Sequence, residues 1–124
     1  MNHIITLDQA IKMTTLLRQH RDRITAPDIV GKPLIPVCET YDRAAFDKLL
    51  SDSACRKIRI YYGMNDDLQL RAVIVGVNEK DEDILPASGT NSADGSKDNG
   101  DGGTIIEDSL VCPPVCPPSS PLNP

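Results

Sequence analysis

The sequence predicts an α+β fold: two N-terminal helices, then a small antiparallel sheet of two to four strands and a Cys/Pro-rich tail. Three observations carry this expectation. Apolar residues recur at helical spacing from Leu7 to Ile24. From Lys57 the period switches to two, the spacing of a strand. Proline and glycine are gathered late: six of the ten prolines lie in the last twelve residues, and five of the eight glycines lie between Gly89 and Gly103. The globular part is therefore expected at residues 1–85, followed by an acidic Gly/Ser/Asp-rich linker at 86–104 and a possible edge strand with the tail at 105–124. A chain of 124 residues is one domain's worth.

The first helix opens on Thr6-x-x-Gln9, a capping box, and is predicted over Leu7–Arg23. Ala10, Met13, Leu16, Leu17, His20 and Ile24 fall on one side, and Leu7 and Ile11 widen that arc to roughly 200°. An arc that wide is expected to sink into the domain's own core; the alternative is that part of it meets a second subunit. Pro27, Gly31, Pro33 and Pro36 make the next segment an irregular connector. Thr40 is the expected cap of a second helix over 41–51, with Ala45, Phe46, Leu49 and Leu50 facing inward.

Ile58, Ile60 and Tyr62 alternate with Lys57, Arg59 and Tyr61 in the first strand, and 63–67 is the expected turn. The next strand is apolar on both faces, with Leu68, Leu70, Ala72 and Ile74 on one side and Val73, Val75 and Val77 on the other. Such a strand is covered on both sides, and Gly76 within it suits a close backbone approach. Residues 78–83 read as an acidic turn and Ile84-Leu85 as a short returning strand. Thr104–Val111 reads as one more edge strand.

Residues 1–60 carry a net +3 and residues 61–124 a net −8. The basic residues interleave with acids along the helices, which is a solvated face rather than the basic stripe of a nucleic-acid binder. No apolar run approaches the roughly 20 residues of a membrane helix. The N-terminus lacks a basic segment followed by an apolar one, so the expected compartment is the cytoplasm, with thiols reduced. Cys38 and Cys55 are expected as small buried apolar residues.

The strand pair Ile58-Arg59-Ile60-Tyr61-Tyr62-Gly63 and Val73-Ile74-Val75-Gly76-Val77, with the Cys112-Pro-Pro-x-Cys116-Pro tail ending Ser-Pro-Leu, resembles a group of small bacterial proteins that have a helical N-terminal half and a terminal Cys/Pro signature. The resemblance covers about residues 40–85 and 110–122. No activity is known for that group, so what the resemblance implies is that the strand pair and the tail belong to one design.

Candidate chemistry is sparse. Asn99-Gly100-Asp101-Gly102 resembles the core of a calcium loop, but Lys97 stands at the first ligand position, where an ammonium repels the cation. Cys112 and Cys116 are the candidate thiol or metal pair. In polyproline II their Cα atoms would lie about 12 Å apart, beyond the roughly 7 Å limit of a disulfide, so only a turn near Pro114-Val115 joins them. The tail is otherwise a docking peptide, with a processed C-terminus as a further alternative. His3 and His20 form no catalytic set, and no nucleophile elbow, phosphate loop or His-Glu-x-x-His pair occurs. The expected function is a non-catalytic interaction or self-assembly module, with no catalytic, cofactor or metal residues. Its contacts would be Val73, Val75, Val77, Met13, Leu16, Val111, Val115 and Leu122, and its partner a second copy or another protein. The alternative is a thiol- or metal-binding protein using Cys112 and Cys116.

Overall fold

The structure, a computed structural model, describes residues 2–26, 28, 34–86 and 103–124. It is an α+β fold, with helices α1 (Leu7–His20) and α2 (Arg43–Leu50) and strands β1 (Cys38–Thr40), β2 (Lys57–Met64), β3 (Leu70–Val77), β4 (Asp83–Ile84), β5 (Ile105–Ile106) and β6 (Leu110–Cys112). These elements sort into two compact units that do not follow chain order. One holds residues 1–40, 66–69 and 110–124; the other holds 41–65 and 70–109. The stretch expected as one domain at 1–85 is thus shared between the units.

In the first unit, the capping box forms as expected: the Gln9 N–H donates to Thr6 Oγ1 at 3.1 Å and the Thr6 N–H to Gln9 Oε1 at 2.8 Å. The helix ends at His20 and tightens into a 3-10 turn over Arg21–Arg23. Every residue of α1 is at least partly exposed, with Met13 and Leu16 among the exposed ones. Helical periodicity found the apolar arc but not a core to receive it, so the expectation of a helix sunk in its own core is corrected. Strand β1 was expected as connector. It exists because β6 pairs with it antiparallel, Cys38 opposite Cys112, Glu39 opposite Val111 and Thr40 opposite Leu110. Val111 and Cys112 are buried there.

The second unit is a four-stranded sheet with α2 on one face. β3 is its centre: β2 pairs along one side, from Lys57 opposite Val77 to Met64 opposite Leu70, while β4 and β5 share the other side. Because strand side chains alternate, Ala72 and Ile74 lie on one face with Ile106. There they meet Leu49, Ala45 and Phe46 of α2, with Tyr41 and Cys55, to form the core. Phe46 stacks edge-on against Tyr41, ring centres 5.6 Å apart. Helix α2 starts at Arg43 behind Asp42 rather than behind Thr40. Thr40 is taken by β1, and Asp42 makes no side-chain cap hydrogen bond.

Two glycines position the sheet. A Cβ on Gly76 would stand 3.0 Å from Cys55 Sγ, which is the close approach its place in the strand predicts. At Gly103 a Cβ would collide with the Ile84 carbonyl, so only glycine lets the chain run in beside β4 to begin β5. The expected single strand over 104–111 is two, β5 and β6, which belong to different sheets. Between them Asp108 takes a positive φ of 67°, a left-handed turn that ends one pairing before the next begins. The expected linker at 86–104 and the calcium-loop residues lie almost wholly at 87–102, outside the described residues.

Candidate functional site

Lys57, Arg59 and Tyr61 share one face of β2, and their partners across the ladder are Val77, Val75 and Val73. Asp83, opposite Val77 on β4, lies on that same face. Arg59 donates from Nη1 to Asp83 Oδ1 at 2.6 Å and from Nη2 to Asp81 Oδ1 at 2.9 Å. Tyr61 donates its hydroxyl to Asp83 Oδ2, and Lys57 Nζ lies 3.5 Å from Asp81. The network braces the two strands that flank β3.

Its electrostatics follow from these bonds. The Tyr61 hydroxyl, then Arg59, holds the Asp83 carboxyl below the usual carboxylate range against the cost of its desolvation. The bond to Asp83 in turn pushes the Tyr61 phenol above its ordinary value, and Arg59 is held more firmly cationic, chiefly by Asp83. General acid–base catalysis wants a group that exchanges its proton near the working pH. Asp83 and Tyr61 are moved away from neutrality in opposite directions.

The acidic turn at 78–83 is organised by Asn78, whose Oδ1 accepts from the Lys80 and Glu82 N–H groups at 2.9 and 3.0 Å. This Asx-type arrangement places Asp81 at a positive φ of 64°. Beside it Ala54, Arg56, Asn78, Glu79, Lys80 and Glu82 line a hollow of about 240 Å³. That is below the roughly 300–1,000 Å³ of small-molecule sites, and four of its six lining residues are charged.

The tail makes a second constellation. Cys112 and Cys116 are joined by a disulfide across Cα atoms 4.5 Å apart. Extended polyproline II is replaced by a turn, in which the Val115 N–H donates to the Val111 carbonyl at 2.9 Å and the Cys112–Pro113 and Pro113–Pro114 peptide bonds are cis. Further on, Ser120 and Asn123 exchange backbone hydrogen bonds at 3.2 and 3.0 Å, and Arg18 of α1 donates to the Leu122 carbonyl at 2.6 Å. Cys38, expected buried, is a half-buried free thiol opposite Cys112; Cys55 is half-buried against the core. Among the described residues no three His, Cys, Asp or Glu side chains converge on a metal position, and no helix is long and apolar enough to cross a membrane.

The residues expected to make contacts are therefore scattered. Val75 and Val77 are 2% and 0% exposed, so the chain itself covers them. Val73 is half-buried and Val111 buried, while Met13, Leu16, Val115 and Leu122 are exposed. His20 is exposed, its Nδ1 3.1 Å from Arg23 Nη1. Sequence reasoning missed two features. The brace joins Arg59 and Tyr61, spaced two apart on one strand face, to Asp83 on the other side of β3; that spacing is its only local signal. The apolar row Ile58, Ile60, Tyr62 and Met64 stays open: these residues are 44%, 49%, 79% and 61% exposed. Among the described residues no strand pairs with the outer side of β2. No family model, no curated protein and no solved structure matches the chain.

Proposed function

We infer that the protein is a non-catalytic interaction module that self-assembles through the edge strand β2. One observation carries the reading: an eight-residue edge strand whose apolar row is 44–79% exposed. Soluble proteins usually blunt such an edge with charge, proline or a bulge, because its unpaired N–H and C=O groups are a template for another strand. Here the two cations of the strand, Lys57 and Arg59, are tied to Asp81 and Asp83, which leaves them poor guards of the edge.

A two-fold antiparallel pairing centred on Ile60 suits this strand. It sets Ile60 beside its own copy, Ile58 beside Tyr62, Arg59 beside Tyr61 and Lys57 beside Gly63. β-Branched and aromatic side chains then meet across the strands, and no like charges face each other. The tail's own strand already pairs within the chain, as β6 on β1, which agrees with a tail that docks on its own subunit. Cytoplasmic placement belongs to the same proposal; in that compartment a disulfide is a transient, exchangeable bond.

Light scattering on the full chain tests the reading. The expected result is a dimer at tens of micromolar that Tyr62→Lys converts to a monomer with unchanged circular dichroism. Tyr62 is 79% exposed, so the substitution leaves the fold intact. A wild-type monomer up to high micromolar concentration, or a Tyr62→Lys protein that associates equally well, overturns it.

A further inference from the structure

We propose that Cys38, Cys112 and Cys116 form a thiol–disulfide exchange site in which Cys38 is the attacking thiol and Cys116 the exposed leaving thiol. All three lie in one compact unit. Cys112 is bonded to Cys116, and Cys38 is the direct cross-strand partner of Cys112 in the β1–β6 ladder. Directly opposed residues of an antiparallel pair put their side chains on one face, with Cα atoms about 4.5–5.5 Å apart. That spacing lies inside the roughly 4.4–6.8 Å window of a disulfide. Cys112 therefore stands within bonding geometry of two cysteines and can bond only one at a time.

The three environments differ in a way that gives the exchange a direction. Cys112 is 3% exposed, Cys38 is half-buried and free, and Cys116 lies on the surface. In the exchange the Cys38 thiol loses its proton to water, and its thiolate attacks Cys112 Sγ. The Cys38–Cys112 bond forms, the Cys112–Cys116 bond breaks, and Cys116 leaves as a thiolate that takes a proton from water. One disulfide and one thiol stand on each side, so no outside oxidant or reductant is needed. The product staples β6 covalently to β1 and presents Cys116 to solvent, where it meets disulfides or thiols of other molecules.

Trypsin separates the two isomers. Cleavage after Arg23, Arg43, Lys48, Arg56 and Lys97 places Cys38 in peptide 24–43, Cys55 in 49–56, and Cys112 with Cys116 in 98–124. The full chain is incubated in a glutathione redox buffer, quenched with acid to stop thiolate attack, alkylated and digested. The expected result for Cys116→Ser is a cross-link between 24–43 and 98–124 in most molecules. Wild type is expected to show the same cross-link in a minor fraction, always with Cys116 alkylated. The wild-type measurement stands without any variant, and circular dichroism of Cys116→Ser checks that the fold survives loss of the Cys112–Cys116 bond. Full alkylation of Cys38 in both proteins, with no 24–43/98–124 cross-link, overturns the proposal. So does a cross-link that joins Cys38 to 49–56 instead.

Discussion

The two units of this chain are held by different physics. The unit around β3 is held by burial: Leu49, Ile74 and Ile106 close one face of the sheet, and Val75 and Val77 are buried on the other. The unit around β1 and β6 buries only Val111 and Cys112 among its described hydrophobic residues. It relies on directed ties instead. Arg18 and Arg21 of α1 and its following turn reach the carbonyls of Leu122 and Ile35, and a disulfide closes the tail turn. Burial is non-directional and scales with area, whereas a tie acts at one point and fails when that point is removed. The units should therefore respond to different perturbations.

The largest difference is expected from truncating the core. Ile74→Ala removes a side chain at the centre of β3 and is expected to cost about 2–5 kcal/mol. Met13→Ala, on the exposed side of α1, should stay within about 0.5 kcal/mol. Chemical denaturation of the two variants measures both, and equal losses would show that the units share one core. Next comes Gly103→Ala, which drives a methyl into the Ile84 carbonyl. Backbone cannot yield there as a flexible side chain could, so a loss of about 3 kcal/mol is expected. Hydrogen exchange should place it in β4 and β5 and leave β1 and β6 protected.

Reduction sharpens the contrast from the other side. Closing a loop as short as Cys112–Cys116 stabilises by about 2 kcal/mol in the chain-entropy account. A reductant should therefore lower protection of residues 110–124 and of Cys38–Thr40, with no change in β2 or β3. If β3 loosens equally, the disulfide supports more than its own unit.

The same contrast explains which features were legible in the sequence. Alternation from Lys57 to Met64 and from Leu70 to Val77 is a local pattern with a strong energetic reason, and the hairpin follows from it. Thr6 and Gln9 announce the start of α1 because both bonds of a capping box are local. β1 carries no such signal, since three residues become a strand only when β6 arrives from more than seventy residues away. Asp108 has no property that marks it as the point where 104–111 divides. The prolines of the tail favour polyproline II locally, and a single backbone bond with the disulfide overrides them. At the site, Arg59 and Tyr61 are visible as a charged face, but their acceptor lies on the far side of β3, beyond two turns. Cys38 is likewise unremarkable until the ladder sets it against Cys112.

The smallest expected effect tests a polar tie within the buried unit, the brace on Asp83. Its native carboxyl titrates below the usual range because the anion accepts from Tyr61 and Arg59. A depressed native value stabilises the fold above the ordinary carboxylate range and loses that contribution as pH falls through the native value. Tyr61 has the opposite sign. Its raised native value favours the phenol, so its contribution is complete below the ordinary tyrosine range near ~10 and is lost as pH rises through the native value. Thermal melting should show a plateau through neutrality with a decline in strong acid and another in alkali. Tyr61→Phe removes the largest cause of the Asp83 shift and the alkaline titration together. It is expected to move the Asp83 carboxyl upward in an NMR titration, shrink the acid decline so that it ends at a higher pH, and flatten the alkaline one. Arg59 still holds Asp83 in that variant, so the shift should shrink rather than vanish. If Asp83 titrates identically with Phe at 61, the hydroxyl is not what holds its charge, and the brace reduces to the ion pairs of Arg59.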